Sequence, residues 1–303
     1  MSTDAAAARL RERLSGDVLT DEPMARHVSW RIGGPAAIFA VLDTLEDLSC
    51  ATQILDEEEV EWTVLGKGTN VLVADEGYDG AVLVLGREFK RHVSDDESIR
   101  AGAAVMLAAA VQSAFKAGLA GLAFAVGIPG TIGGALAMNA GAHGSWIGEV
   151  VDSVTLFVPG SGLVSMKGSE VLWGYRASGL PSRGIIVEGI LRVHPEDPAR
   201  IRAEMERNFA KRKETQPVGV PSAGSVFLNP EGDHAGRLIE LAGLKGVRVG
   251  GARVSPVHAN FIVNEGGATA SDVMRLVRKI QMTVGDMYGV RLEPEIRFLG
   301  TFE

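Results

Sequence analysis

The chain has 303 residues, 46% hydrophobic and 22% charged, with 38 Gly, 12 Pro and one Cys. The apolar fraction excludes a disordered chain, the lack of a G-X-Y period excludes collagen, and the length suggests about two domains. The net charge of -8 argues against a general nucleic-acid or anionic-membrane binder, and the single cysteine, Cys50, excludes an internal disulfide or a Cys-based zinc site and fits a reducing cytoplasm.

Met1 to Leu14 has an early acid and no apolar core, so it is not a signal peptide. Thr3 or Asp4 is expected to cap a short helix ending near Gly16, within a segment 1–20. Ala36 to Val41 reads as a strand, and Leu45 to Glu58 has helical spacing. Trp62 to Leu65, Val71 to Val73 and Ala81 to Leu85 complete a first α/β unit. Ser98 to Ala101 opens another strand, Met106 to Ala117 is helical, and Val150 to Val158, Gly162 to Met166 and Gly184 to Val193 alternate as strands. His194 to Pro198, with two prolines and two acids, is the linker candidate. Beyond it come helices at Ala199 to Lys213, near Ala235 to Ala242 and at Ser271 to Tyr288. Strands follow near Val249, near Phe261 and from Arg291 to Phe298, which makes a separate α+β domain. Ala117 to Ala142 carries no formal charge, but its glycines and Pro129 mark a buried segment rather than a membrane span.

Glycine-rich loops recur. A strand delivers Gly66-Lys67-Gly68-Thr69-Asn70, which is neither a Rossmann fingerprint nor a Walker loop. A second loop is Gly127-Ile128-Pro129-Gly130-Thr131-Ile132-Gly133-Gly134, a third runs from Asn139 through Gly141 to Ala142, and a fourth from Ser29 to Gly34. Such loops let successive N–H groups converge on a pyrophosphate with few cations, which points to a dinucleotide. The alternative is a tightly packed β-rich core with glycine at its corners. The six histidines show no ligand spacing, so no catalytic metal is expected.

In order along the chain, these loops join Tyr175-Arg-Ala-Ser178, Ser222-Ala-Gly-Ser-Val-Phe-Leu-Asn-Pro230, Leu241 to Gly246, His258-Ala-Asn-Phe261 and Leu292 to Gly300. The set resembles the UDP-N-acetylenolpyruvoylglucosamine reductases (the MurB family) over nearly the whole chain after about residue 20. Only Gly179 to Arg183 separates Ser178 from the next strand, so the chain resembles the shorter form, without the substrate-covering tyrosine loop.

The resemblance implies an α+β fold: a two-part FAD-binding domain of the vanillyl-alcohol-oxidase (PCMH) type at 21–196, with subdomains of about 21–90 and 91–196, then a substrate domain at 199–303. It implies bound FAD, NADPH as co-substrate and a UDP-sugar enolpyruvyl ether as substrate, in a cytoplasmic monomer. Cofactor contacts are expected from Ser29, Gly66, Lys67, Gly68, Thr69, Asn70, Gly127, Ile128, Pro129, Gly130, Thr131, Gly133, Gly134, Asn139 and Gly141, and substrate contacts from Tyr175, Asn229, His258 and Asn260.

The resemblance also implies three catalytic residues. Arg176 is permanently charged and clamps a carboxylate with two N–H bonds. Glu295, kept protonated by like charge, donates a hydrogen bond to an enolate oxygen. Glu293 shares its face if strand alternation holds across Pro294, and periodicity does not separate the two. Ser225 is the proton donor, and Gly224 beside it allows close backbone approach. Leu228 stands where the family often has a basic residue. Arg212, Lys213 and Lys245 are the cations that could replace it. Two rival functions are a related flavoprotein oxidase, which would not require the catalytic three, and a non-catalytic nucleotide-sugar binder.

Overall fold

The computed structural model describes residues 3–302. The chain divides into two compact units, each with its own core. Unit 1 comprises residues up to Thr20, Ile38–Lys67 and Gly80–Lys211; unit 2 comprises Asp21–Ala37, Gly68–Asp79 and Arg212 onward.

In unit 1 the first helix, Thr3–Arg13, buries Ala6, Ala7 and Leu10. Thr3 and Asp4 lie inside this helix, and the preceding Ser2 is outside the described residues. Helix Leu45–Glu57 starts at a capping box: the Thr44 hydroxyl accepts from the Asp47 N–H, and the Asp47 carboxylate accepts from that of Thr44. Strands Trp62–Val64 and Tyr78–Leu85 pair in parallel. A five-stranded antiparallel sheet follows, in the spatial order Gly162–Lys167, Val151–Val158, Ile185–Arg192, Ser98–Gly102, His92–Ser94. A six-residue helix, Ile132–Ala137, packs on it where Gly189 leaves room for Leu136; a Cβ at 189 would lie 2.9 Å from its Cδ1. Its two glycines and one and a half turns gave the sequence no helical period to show.

The expected linker is not a free one. His194–Pro195 pairs antiparallel with Leu119–Ala120. The helix that follows, Pro198–Thr215, buries Ile201 and Met205 in the unit 1 core, and Asn208 Nδ2 donates to the Ala123 carbonyl at 3.0 Å. The break between units therefore falls after Lys211 rather than at 196–199.

Unit 2 draws two early segments into its core. Trp30 is fully buried and its Nε1 donates to the Ile262 carbonyl at 2.8 Å. Val71–Val73 pairs in parallel with Arg297–Leu299. Strands Arg248–Val249, Ala252–Val254 and Ile262–Asn264 form an antiparallel sheet. The long helix Ala270–Tyr288 buries Val273, Leu276, Val277, Ile280 and Val284 at helical spacing, starts at a Thr269–Asp272 capping box and ends at Gly289, φ 67°. The expected strand Arg291 to Phe298 shrinks to Arg297–Leu299, with only an isolated bridge from Pro294 to Phe227 before it. Proline has no N–H to give a ladder, so the alternation breaks there.

Candidate active site

Two of the expected cofactor loops meet inside unit 1. A Cβ on Gly66 would lie 2.7 Å from Thr131 Oγ1, so only glycine permits the approach. Gly66, Lys67 and Pro129 are exposed beside it, and Gly127 and Gly130 adopt φ of 73° and 120°. This bare, glycine-lined surface fits a ligand that docks on backbone.

Not every amide there is available. The Gly133 N–H donates to the Ala103 carbonyl at 2.8 Å, that of Gly134 to Thr131 Oγ1 at 3.3 Å, and that of Ile128 to the Ala125 carbonyl at 3.1 Å. These three are therefore not the cradle donors the loops suggested. Gly141 lies in a small hairpin, where a Cβ would strike the Ser145 carbonyl at 2.6 Å.

The fourth loop resolves toward close packing. A Cβ on Gly33 would lie 2.6 Å from Val73 Cβ, and one on Gly34 would lie 2.2 Å from the Asp75 carbonyl oxygen. The Ser29 N–H donates to the Gly68 carbonyl at 3.0 Å, and its hydroxyl to the Ser222 carbonyl at 2.6 Å. Gly68, φ 61°, is buried against His27 and Val28, and Thr69 is half-buried.

Arg176 sits in unit 1, at φ 54°, in the two-residue turn of a hairpin, Trp173–Gly174 against Ala177–Ser178. Its guanidinium carbon lies 5.4 Å from the Tyr175 ring centroid, and Tyr175 is 56% exposed. Asn139, itself at φ 43° and buried, fastens this hairpin. Its Nδ2 donates to the Gly174 carbonyl at 2.8 Å, and its Oδ1 accepts from the Gly148 N–H at 3.0 Å. The Ser178 hydroxyl donates to the Ala137 carbonyl at 3.0 Å.

The segments that carry Ser225 and Glu295 are bonded to each other in unit 2. The Glu295 N–H donates to the carbonyl of Val226, next to Ser225, at 2.8 Å, and the Leu228 N–H donates to the Glu293 carbonyl at 2.9 Å. Gly224 has φ 76°, with nothing within 4 Å of where a Cβ would lie, so torsion demands glycine and the space beside it is open. The structure separates the two glutamates. Glu293 is exposed and paired with Arg291 at 2.9 Å, whereas Glu295 is half-buried.

The expected substrate contacts are largely engaged by protein. The buried Asn260 amide grips one residue from both ends: Oδ1 accepts from the Phe227 N–H at 2.9 Å and Nδ2 donates to the Phe227 carbonyl at 2.8 Å. Asn229 Oδ1 accepts from the Ala235 N–H at 3.1 Å, at the start of helix Ala235–Leu241. His258 Nδ1 accepts from the Asn260 N–H at 3.2 Å, and the ring packs against Phe261 with centroids 4.9 Å apart and planes tilted by 57°. Burial, then nearby Lys245, push the His258 pKa below its usual value, against the opposing pull of Glu240. Among the described residues no group of three or more His, Cys, Asp or Glu could hold a metal, and no helix is long and apolar enough to cross a membrane.

Residues 216–299 match the UDP-N-acetylenolpyruvoylglucosamine reductase C-terminal domain, and residues 36–166 match the FAD binding domain. The UDP-N-acetylenolpyruvoylglucosamine reductase of Bacillus licheniformis is 41% identical over 300 residues, 98% of this chain and 99% of its own. The chain belongs to the UDP-N-acetylenolpyruvoylglucosamine reductase family. The Bacillus subtilis reductase is 38% identical over 293 residues, 96% of this chain and 97% of its own. The crystal structure of the reductase from Thermus caldophilus superposes with a TM-score of 0.81 at 35% identity, covering 94% of this chain and 99% of that one. The chain is thus an FAD oxidoreductase of peptidoglycan synthesis, with the α+β fold and FAD-binding domain that its motifs imply. Gly66, exposed, and the loop from Gly127 to Thr131 approach one another within this FAD-binding unit.

Proposed function

We propose that the chain reduces UDP-N-acetylglucosamine enolpyruvate to UDP-N-acetylmuramate with NADPH, and that Arg176, Ser225 and Glu295 carry the substrate half of the reaction. FAD, when bound and reduced by NADPH, would supply the hydride for the terminal carbon of the enolpyruvyl group. An enol ether is electron-rich and resists hydride, so charge must be drawn onto its carboxylate. Arg176 clamps that carboxylate through two N–H bonds. Glu295 is assigned the hydrogen bond to the enolate oxygen. The electron pair left from the C=C bond then takes the Ser225 hydroxyl proton onto the adjacent carbon. Solvent returns a proton to Ser225.

The observation that carries this reading is the direct hydrogen bond between the segments bearing Ser225 and Glu295, with Glu293 diverted to Arg291. Of the three cations, Arg212 is half-buried and burial pushes its pKa down, while Lys245 pairs with Glu240 at 2.7 Å. The lone Cys50 fits action in a reducing cytoplasm.

The test is anaerobic flavin spectroscopy. NADPH should bleach the bound flavin, and the enolpyruvyl UDP-sugar should restore its colour. Ser225→Ala should bleach normally but recover about 10²–10⁴-fold more slowly, the usual contribution of a positioned acid. Normal recovery in that variant removes Ser225 from the mechanism; recovery only with oxygen makes the chain an oxidase.

A further inference from the structure

We propose that Asn70 is a positioning residue for Glu295, and that Ser29 acts in the same way on the segment of Ser225. The inference rests on the reaction assigned above and concerns how its two acids are held.

Glu295 lies outside any regular strand, just after Pro294, where no ladder fixes the chain. Both of its backbone polar groups are nevertheless held. Its N–H donates to the Val226 carbonyl at 2.8 Å, and its carbonyl accepts from Asn70 Nδ2 at 3.0 Å. The Asn70 carbonyl in turn accepts from the Arg297 N–H at 3.0 Å, and from there Val71–Val73 runs in parallel with Arg297–Leu299. Asn70 thus brackets Ile296, with its side chain on the residue before and its backbone on the residue after. A peptide held at both its N–H and its C=O has a fixed Cα–Cβ direction, which a half-buried carboxyl needs if it is to meet one oxygen atom.

Ser29 supplies the other arm. Its N–H is bound to the Gly68 carbonyl and its hydroxyl to the carbonyl of Ser222, three residues before Ser225. The segment that continues the Gly66–Lys67 loop is therefore also the frame on which the proton donor and the acid are mounted. Ser29 and Asn70 stand in glycine loops expected to touch the cofactor, and their side chains also donate to the backbone that carries Ser225 and Glu295.

The experiment uses holoenzyme in stopped flow, with flavin content measured first. Asn70→Asp keeps the shape but sets a carboxylate oxygen against the Glu295 carbonyl. The ratio of substrate-driven reoxidation to NADPH-driven bleaching should fall about 10²-fold, as expected for a misplacement of about 1 Å. The pH profile of reoxidation should shift while that of bleaching does not. Ser29→Ala, a milder change that removes one hydroxyl, should lower the same ratio about 10-fold, and it decides the matter if Asn70→Asp does not fold. An unchanged ratio and pH profile in both variants overturns the proposal. So does a loss confined to flavin content, which would make both residues cofactor ligands only. Wild-type enzyme that the enolpyruvyl sugar fails to reoxidise would sink the assigned reaction instead, so the two failures are distinguishable.

Discussion

The hairpin that carries Arg176 and the paired segments that carry Ser225 and Glu295 are held by different amounts of backbone. The hairpin has two residues per strand and a left-handed arginine at its tip, so by itself it is marginal. It is fastened from outside by Asn139 and by Ser178. Around Ser225, by contrast, Val226, Phe227 and Leu228 are bonded on one side to Asn260 and on the other to Glu293 and Glu295. The difference follows from side-chain length. Arginine reaches its target through four rotatable bonds and a wide fork of donors, so its backbone needs only a local clasp. A serine hydroxyl has one rotatable bond to Cβ, and its position is set almost wholly by the main chain.

Arg176→Lys tests that contrast most severely. Lysine keeps the charge but loses the planar fork. Substrate-driven reoxidation should fall about 10²–10³-fold, the cost of removing one well-placed donor in the transition state, while bleaching by NADPH is retained. An equal fall in both half-reactions would mean that the hairpin serves the flavin rather than the substrate.

The two clasps should also differ in stability. Asn260→Ala leaves a buried N–H and C=O of the same residue unpaired, which costs about 2–4 kcal/mol. Asn139→Ala strands the exposed Gly174 carbonyl and the half-buried Gly148 N–H, where water takes over part of each bond, and should cost about 1–2 kcal/mol. Chemical denaturation of the two variants with saturating FAD measures both. The reverse order would show that the small hairpin, not the Ser225 segment, is the more firmly framed.

Much of this was legible in the sequence because periodicity is local. The helices at Leu45–Glu57 and Ala270–Tyr288 and four strands of the five-stranded sheet, all but the exposed His92–Ser94, lie within a few residues of where their apolar spacing put them. What escaped was long-range. No local signal says that Val71 pairs with Arg297, or that Trp30 donates to Ile262, so the early segments read as part of the first unit. The asparagines escaped for a related reason. A polar residue in a small-residue loop looks the same whether its amide faces a ligand or a carbonyl dozens of residues away. Glu295 against Glu293 was undecided because alternation across a proline carries no information, whereas an ion pair to Arg291 and a difference in burial do.

The smallest expected effect concerns His258, whose ring nitrogen accepts from Asn260, the residue that grips Phe227. Burial, reinforced by Lys245 and opposed by Glu240, lowers its pKa from 6.5. The folded protein thus binds fewer protons at this site than the unfolded chain does, and stability rises with pH across the window. The contribution is fully present above 6.5, is lost as pH falls from there through the lower folded value, and is constant below it. Protonation also removes the acceptor that holds the Asn260 N–H, so the loss should register at the Ser225 clasp. His258→Gln, which does not titrate, should lose less melting temperature than wild type between about pH 7.5 and about pH 5.5. Carboxylates such as Asp272 titrate alike in both proteins. There burial favours protonation but is outweighed by bonds from Thr269, Gly251 and Arg275, so that loss comes at lower pH and cancels in the comparison. Parallel melting curves for the two proteins would show that the His258 ring is not coupled to the frame of the Ser225 segment.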